Sequence, residues 1–234
     1  MERAEAVQAY LSRNKLLYMN MLEVLRRGSA EVLYAGADGV LLYDRLLEGH
    51  LLAADSPAAL ERMLPIMAGC RILIGHQLWC KDALAARFGF REEQICHQAA
   101  WLDPEPPAVP EFGGELRFLD AVWAPWVYRQ YSHAFGGEAY IEAAIDRGML
   151  GAFVDGECAG FVGFHIEGAI GMLEVLPRFR RRGIGEALLR GITALALERG
   201  QYPFGQVFTN NLPSLALQRK AGFAVSEECL YWLF

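Results

Sequence analysis

The stretch from Leu173 to Glu186, LEVLPRFRRRGIGE, limits what this chain can fold into more than any other segment. A strand-like run over 171–176 stops at Pro177, a short basic turn follows, and Gly183-Ile184-Gly185 opens a segment with helical periodicity. A glycine at a strand-to-helix turn lets backbone N–H groups approach a ligand with no Cβ in the way. The first turn of a helix carries unpaired N–H groups and partial positive charge. Together these cradle an anion, and a pyrophosphate fills such a cradle best. Arg180, Arg181 and Arg182 add full charges and forked donors. The segment is not a P-loop, because no Lys-Ser/Thr follows the glycines. It is not a dinucleotide fingerprint either, because the third glycine and the downstream acid are missing. Taken alone, the spacing also fits an arginine-rich turn that does no more than cap a helix.

The surroundings of that turn resemble the GCN5-related N-acetyltransferase (GNAT) superfamily. There an arginine or glutamine, two residues, glycine, one residue and glycine hold the pyrophosphate of acetyl-CoA. Here the run is Arg180-Arg181-Arg182-Gly183-Ile184-Gly185, preceded by Val175-Leu176-Pro177 in place of the superfamily's V-x-P. A second element lies downstream. A short strand within 201–211 leads to Asn211-Leu212-Pro213-Ser214, with proline near a helix start, and the helix ends at Gly222. Asn211, Ser214, Leu217, Lys220, Gly222 and Phe223 match the pattern N-x-x-A/S-x-x-L-Y-x-K-x-G-F position by position.

The resemblance covers roughly residues 116–234 and looks closest in layout to the glycine N-acyltransferase and FR47-like branch. It implies an α/β fold, a mixed and mostly antiparallel sheet flanked by helices, with acetyl-CoA as co-substrate and no metal. By the same resemblance Arg180, Arg181, Arg182, Gly183, Ile184, Gly185 and Glu186 form the phosphate turn. Leu173 and Val175 lend main chain to pantetheine, and Asn211, Ser214 and Lys220 complete the CoA site. One position departs. The tyrosine that often protonates the leaving CoA thiolate is Gln218 here. An amide is no general acid, although it can hydrogen-bond the sulfur. Thiols have pKa values near about 8.5, so the thiolate leaves tolerably without help.

Composition bounds the remaining choices. With 234 residues, 53% of them hydrophobic and 21% charged, the chain can bury a large core. No apolar run approaches the ~18 residues needed to span a bilayer, and the start, MERAEAVQAYLSRNK, lacks the hydrophobic stretch of a secretory leader. Cys70, Cys80, Cys96, Cys158 and Cys229 form no C-x-x-C pair, so they read as buried thiols in a reducing, cytoplasmic setting. The net charge is -6, and the dense basic cluster sits inside the phosphate turn, so no nucleic-acid face is expected. A homodimer is compatible with all of this.

The punctuation DPEPPAVPEFGGE, Asp103 to Glu115, divides the chain, because proline at that density excludes regular structure. The expected organisation is a first half over 1–103, a proline-rich linker over 104–115 and a catalytic domain over 116–234. In the second part the pattern predicts helices over 121–135 and 138–147, strands over 149–154, 159–165 and 169–176, the Gly183 helix, a strand, the Ser214 helix and a final strand. The first half repeats the order. ALAARFGF (Ala83 to Phe90) parallels ALQRKAGF (Ala216 to Phe223), and Cys96 and Cys229 each lie seven residues after the glycine. The first half has no counterpart of the phosphate turn, so it reads as a degenerate GNAT-like half that does not hold CoA.

The resemblance implies direct attack of an amine on the thioester. An alkylammonium has a pKa near about 10, so a base or an ordered water must take a proton, and the tetrahedral oxyanion needs a backbone N–H from the strand before the phosphate turn. The superfamily's glutamate eight residues before the proline is Ala169 here. Glu174 is the carboxylate nearest the turn and the candidate base, although a strand glutamate also reads as a solvated face residue, with Gln218 beside the sulfur. Glu167 and His165 lie at the hairpin entering the strand, and His165, His50, His76, His97 and His133 are read as structural. Trp123, Trp126, Tyr128 and Tyr131 crowd one helix and read mostly as core. With Tyr140 they also suit a small amine or amino-acid acceptor. A non-catalytic acyl-CoA-binding or regulatory module is the alternative, since Gln218 replaces the acid and the base is unplaced.

Overall fold

The computed structural model describes residues 2–131 and 137–234. In the first hundred residues α1 (Glu2–Leu11) and α2 (Met19–Arg26) precede β1 (Ala30–Gly36), β2 (Gly39–Asp44) and β3 (Gly49–Ala54). Then follow α3 (Pro57–Met63), β4 (Leu73–Gly75), α4 (Lys81–Phe88) and β5 (Glu93–Ala100). After the proline-rich stretch come β6 (Glu115–Phe118), α5 (Ala124–Gln130), α6 (Gly137–Gly148), β7 (Leu150–Val154), β8 (Glu157–Phe164) and β9 (Ile170–Val175). The chain ends with α7 (Ile184–Glu198), β10 (Phe204–Phe208), α8 (Leu212–Ala221) and β11 (Ala224–Leu233). Two helices, three strands, helix, strand, helix, strand thus occurs twice, and the mixed α/β fold is the one the sequence pattern predicts.

Local chemistry explains where the elements depart from expectation. Between α1 and α2 the chain makes a tight turn at Ser12–Asn14, where Asn14 Oδ1 accepts from Leu17 N–H at 3.1 Å. A short amide side chain competes with the helix ladder in this way. The helix expected from Ala121 begins as a 3-10 turn, Ala121–Trp123, capped by Asp120 Oδ1 accepting from Val122 N–H at 3.1 Å. Pro125 then sits in the first turn of α5, where its missing N–H costs nothing. Residues 132–135 of that expected helix, with Ser132 and His133, lie outside the described residues.

Contacts divide the chain into two units. One comprises Met1–Ala100, Gln206–Leu212 and Val225–Phe234; the other comprises Trp101–Gly205 and Pro213–Ala224. The division follows hydrogen bonding rather than chain order. In the first unit a seven-stranded sheet runs β1-β2-β3-β4-β11-β5-β10. β3 and β4 pair in parallel, with His50 opposite Leu73 and Leu52 opposite Gly75. β11 pairs antiparallel to β4, Tyr231 opposite Gly75 and Leu233 opposite Leu73. Leu41, Leu52, Met63, Met67, Tyr231 and Leu233 form the core on one face.

The second unit holds a four-stranded antiparallel meander, β6-β7-β8-β9. Side chains alternate between its faces. Phe161 of β8 points into a core with Val127 of α5, Ile141 and Ile145 of α6, and Met172. The neighbouring Gly160 turns the other way, toward Leu188 of α7. α7 buries Ile184, Leu188 and Ile192 along one stripe. So α5 and α6 cover one face of the meander and α7 the other. Among the described residues no helix is long and apolar enough to cross a membrane.

Candidate active site

The site begins at β9, the last strand of its sheet. Phe161 pairs with Glu174 and Gly163 with Gly171, so Val162 alone faces both Met172 and Leu173. Met172 absorbs the extra residue with a left-handed backbone, φ 53°. A bulge of this kind bends a strand and re-aims its main-chain groups. The other edge of β9 has no neighbouring strand among the described residues. A Cβ on Gly205 would come within 2.7 Å of Ile170 O, at the start of β9. An extended ligand can therefore add to this edge as a further strand.

β9 leads through a 3-10 turn, Pro177–Phe179, into the arginines. Phe179 is buried, with the guanidinium carbons of Arg178 and Arg182 5.1 and 5.6 Å from its ring centre. Arg180 turns back: its Nε donates to Val175 O at 2.9 Å and its Nη2 to Glu174 Oε1 at 3.0 Å. Arg181 has φ 65°, and its exposed guanidinium has no partner among the described residues. Gly183, φ 80°, caps α7 without any side-chain hydrogen bond, which leaves first-turn N–H groups open. A left-handed cap is where glycine is needed. Gly185 is different. A Cβ there would meet Leu217 Cδ2 at 3.4 Å and Val175 Cγ2 at 3.7 Å, which is ordinary contact. The protein's own packing does not require that glycine.

The second motif joins the first through α8. Lys220 Nζ lies 2.8 Å from Glu186 Oε2, and Arg190 Nη2 lies 3.1 Å from Glu186 Oε1. Glu186 thus holds two cations behind the arginine-glycine turn. Gln218 is buried, and its Oε1 has no partner among the described residues. Its Nε2 lies 3.9 Å from the position a Gly205 Cβ would take. Asn211 is exposed just before α8, and Ser214 is half-buried in its first turn. Leu173 and Val175 are half-buried on β9, and Ile184 is buried under α7. The Glu174 carboxylate is already occupied by Arg180 Nη2.

A second group of titratable side chains surrounds the hairpin between β8 and β9. Tyr140 Oη of α6 lies 2.6 Å from His165 Nδ1. A Cβ on Gly171 would come within 2.3 Å of His165 Nε2, so the ring edge lies against a bare Cα. Glu167 is buried, 5% exposed, and forms no ion pair among the described residues. Burial pushes the His165 pKa down, and the Glu167 charge opposes that shift. Burial raises Tyr131 to about 12, with the Glu167 and Glu174 charges adding to it, and raises Tyr140 as well. Sequence spacing gives no sign of this cluster beyond the His165-x-Glu167 pair, because its contacts join a helix to a hairpin. Trp123 and Trp126 stack edge-on with each other at 5.6 Å and with Phe153 and Phe161 at 5.3 and 5.8 Å, as core residues do. Tyr128 is exposed.

Comparison with known proteins agrees with this geometry. Residues 116–223 match the family model described as Acetyltransferase (GNAT) family. No curated protein matches the chain. Among solved structures, a Drosophila protein superposes with a TM-score of 0.74 at 17% identity, covering 99% of this chain and 95% of its own. A GCN5-related N-acetyltransferase from Kribbella flavida superposes at 0.57 with 15% identity, covering 93% and 94%. One from Sphaerobacter thermophilus superposes at 0.52 with 19% identity, covering 99% and 90%. At such identities the structures establish the fold alone, while the family match spans Arg180 to Gly185 and the α8 motif: over residues 116–223 the chain matches the GNAT acetyltransferase family.

Proposed function

We propose that the chain transfers an acetyl group from acetyl-CoA to the amine of a small molecule or amino acid by direct attack. One observation carries the reading. The unpaired edge of β9 runs straight into an uncapped helix N-terminus with exposed arginines, which suits a ligand that is extended at one end and a pyrophosphate at the other. Pantetheine would lie along Leu173 to Val175. The phosphates would face the N–H groups from Gly183 to Gly185, since Glu186 N–H already donates to Gly183 O at 3.1 Å, with Arg181 and Arg182 outside them. A thioester carbonyl beside the Met172 bulge would draw on a main-chain N–H of β9 as its oxygen gains negative charge.

The first half, in this reading, is a scaffold and does not hold the donor. Its helix α3 stands where α7 stands in the repeat, but Ser56 Oγ accepts from Ala59 N–H at 3.2 Å and fills the cap. Its β3 is paired with β4 over His50 to Leu52, so the edge there is already taken by a strand.

Calorimetry with acetyl-CoA and CoA, followed by thiol release across amino acids, polyamines, arylamines and aminoglycosides, tests the proposal. Absence of binding at millimolar ligand refutes it. Binding without turnover of any amine identifies a non-catalytic acyl-CoA-binding module instead. Preference for a peptide lysine over every small amine overturns the acceptor class.

A further inference from the structure

We propose that His165, held by Tyr140, is the group that takes the proton from the attacking amine. The proposal rests on the acyltransfer reading above. It places the base on the hairpin before β9 rather than on Glu174, whose carboxylate is already engaged by Arg180.

Three observations support it. The imidazole is fixed at both ends: Tyr140 Oη meets Nδ1 at 2.6 Å, and Nε2 lies against the bare Cα of Gly171. With Nδ1–H donating to Tyr140 Oη, Nε2 keeps its lone pair, and that lone pair lies beside β9 two residues before Leu173. Two residues of strand span roughly 6–7 Å, which one bound amine or one water bridges. Next, among the described residues the charged and titratable groups that act on the ring are Tyr140 and Arg147 of α6 and Glu167 of the hairpin, while Tyr131 after α5 acts on Tyr140 and feels Glu167 and, on β9, Glu174. Glu167 makes the difference, since a buried carboxylate with no ion pair among the described residues stabilises the imidazolium that forms during the reaction. Finally, burial keeps the ring neutral before substrate arrives, which is the protonation state a base requires.

The step balances. Nε2 takes one proton from R–NH3+, and the free amine forms a C–N bond to the thioester carbon as the carbonyl electrons move to oxygen. The oxyanion collapses, the C–S bond breaks, and the second nitrogen proton passes to the thiolate. The imidazolium returns its proton to water. The products are the amide, CoA thiol and one proton.

His165→Gln, His165→Ala and Tyr140→Phe test the role. Acetyl-CoA affinity is read by calorimetry, and thiol release is read against pH with the best amine of the panel and with water alone as acceptor. The expected result is acetyl-CoA affinity within about twofold of wild type and kcat/KM lower by about a hundredfold or more in His165→Gln, the typical worth of a general base. The acid limb of the pH profile disappears in that variant. Free imidazole partly restores His165→Ala. Tyr140→Phe keeps binding and moves the acid limb to lower pH, because the imidazolium loses its acceptor. A His165→Gln protein with the wild-type rate and limb overturns the role. So does a wild-type protein that binds acetyl-CoA yet releases no thiol to amine or water. Failure of the wild type to bind acetyl-CoA overturns instead the functional reading beneath.

Discussion

Gly185→Ala separates what the fold needs from what the ligand needs. Position 185 is the second residue of α7, and an added methyl meets Leu217 and Val175 at 3.4 and 3.7 Å without overlap. Glycine within a helix costs about 0.5–1 kcal/mol relative to alanine, so the variant should be more stable by up to about that amount. For a chain of this size, 1 kcal/mol moves Tm by roughly 2–4 °C, so a rise of about 1–3 °C is expected in thermal unfolding without ligand. Acetyl-CoA affinity should move the opposite way. The methyl projects from the first turn of a helix end that has no side-chain cap, where phosphate oxygens must come within hydrogen-bond distance of N–H groups. Displacing one charge-assisted hydrogen bond costs about 1.5–3 kcal/mol, a loss of about tenfold or more in Kd by calorimetry. Unchanged Kd in a stabilised protein refutes the phosphate assignment. A destabilised protein refutes the packing argument instead.

Arg181→Gly should likewise raise Tm while weakening acetyl-CoA binding, because it relieves a left-handed backbone at φ 65° worth about 1 kcal/mol and removes an exposed guanidinium; rising salt should narrow the affinity gap to wild type. His76 sits buried between Leu52 O and Asn20 Oδ1, with its pKa pushed down by burial to about 4. The unfolded chain binds that proton first, so stability is full above about pH 6.5 and falls as pH drops toward 4, by about 3 kcal/mol in all; denaturant unfolding of His76→Gln should show a slope shallower by that amount. A fragment beginning at residue 115 should not fold. β11 then loses β4 and β5 on both sides, exposing Tyr231 and Leu233, which are about 4 kcal/mol of burial against a total stability of roughly 5–15 kcal/mol; a cooperative unfolding transition in the fragment would contradict this.

The parts of the site that could be read from the sequence are those whose chemistry is local along the chain. Arg180 to Gly185 announces itself because a helix end, its glycine cap and its charges are consecutive residues. The same holds for the two helix ends in the repeated segments. Gly89 and Gly222 both take positive φ, and Phe90 N–H and Phe223 N–H each reach back five residues, to Ala85 O and Gln218 O, at 3.0 Å. An eight-residue similarity in common residues thus reflects one repeated cap geometry. Glu174 was legible as a carboxylate near the turn. Its engagement with Arg180 was not, because that depends on how the turn folds the arginine back over the strand.

What sequence order could not supply is pairing between distant segments. β11 follows α8 in the chain, yet it hydrogen-bonds between β4 and β5, so the last strand of the second half completes the sheet of the first. Alternation within 224–233 marks a strand but carries no information on which of several apolar strands it joins. The hairpin histidine is the same problem at smaller scale. His165 and Tyr140 are 25 residues apart, and only the packing of α6 over the β8–β9 hairpin brings them together. A lone histidine at a strand end looks structural until its neighbours are known. The fold then gives it a tyrosine on one nitrogen, a glycine beneath the other and a buried glutamate nearby. Each of those three environments answers a different requirement of a base: a fixed tautomer, access to the reacting strand, and a counter-charge for the proton once it has been taken.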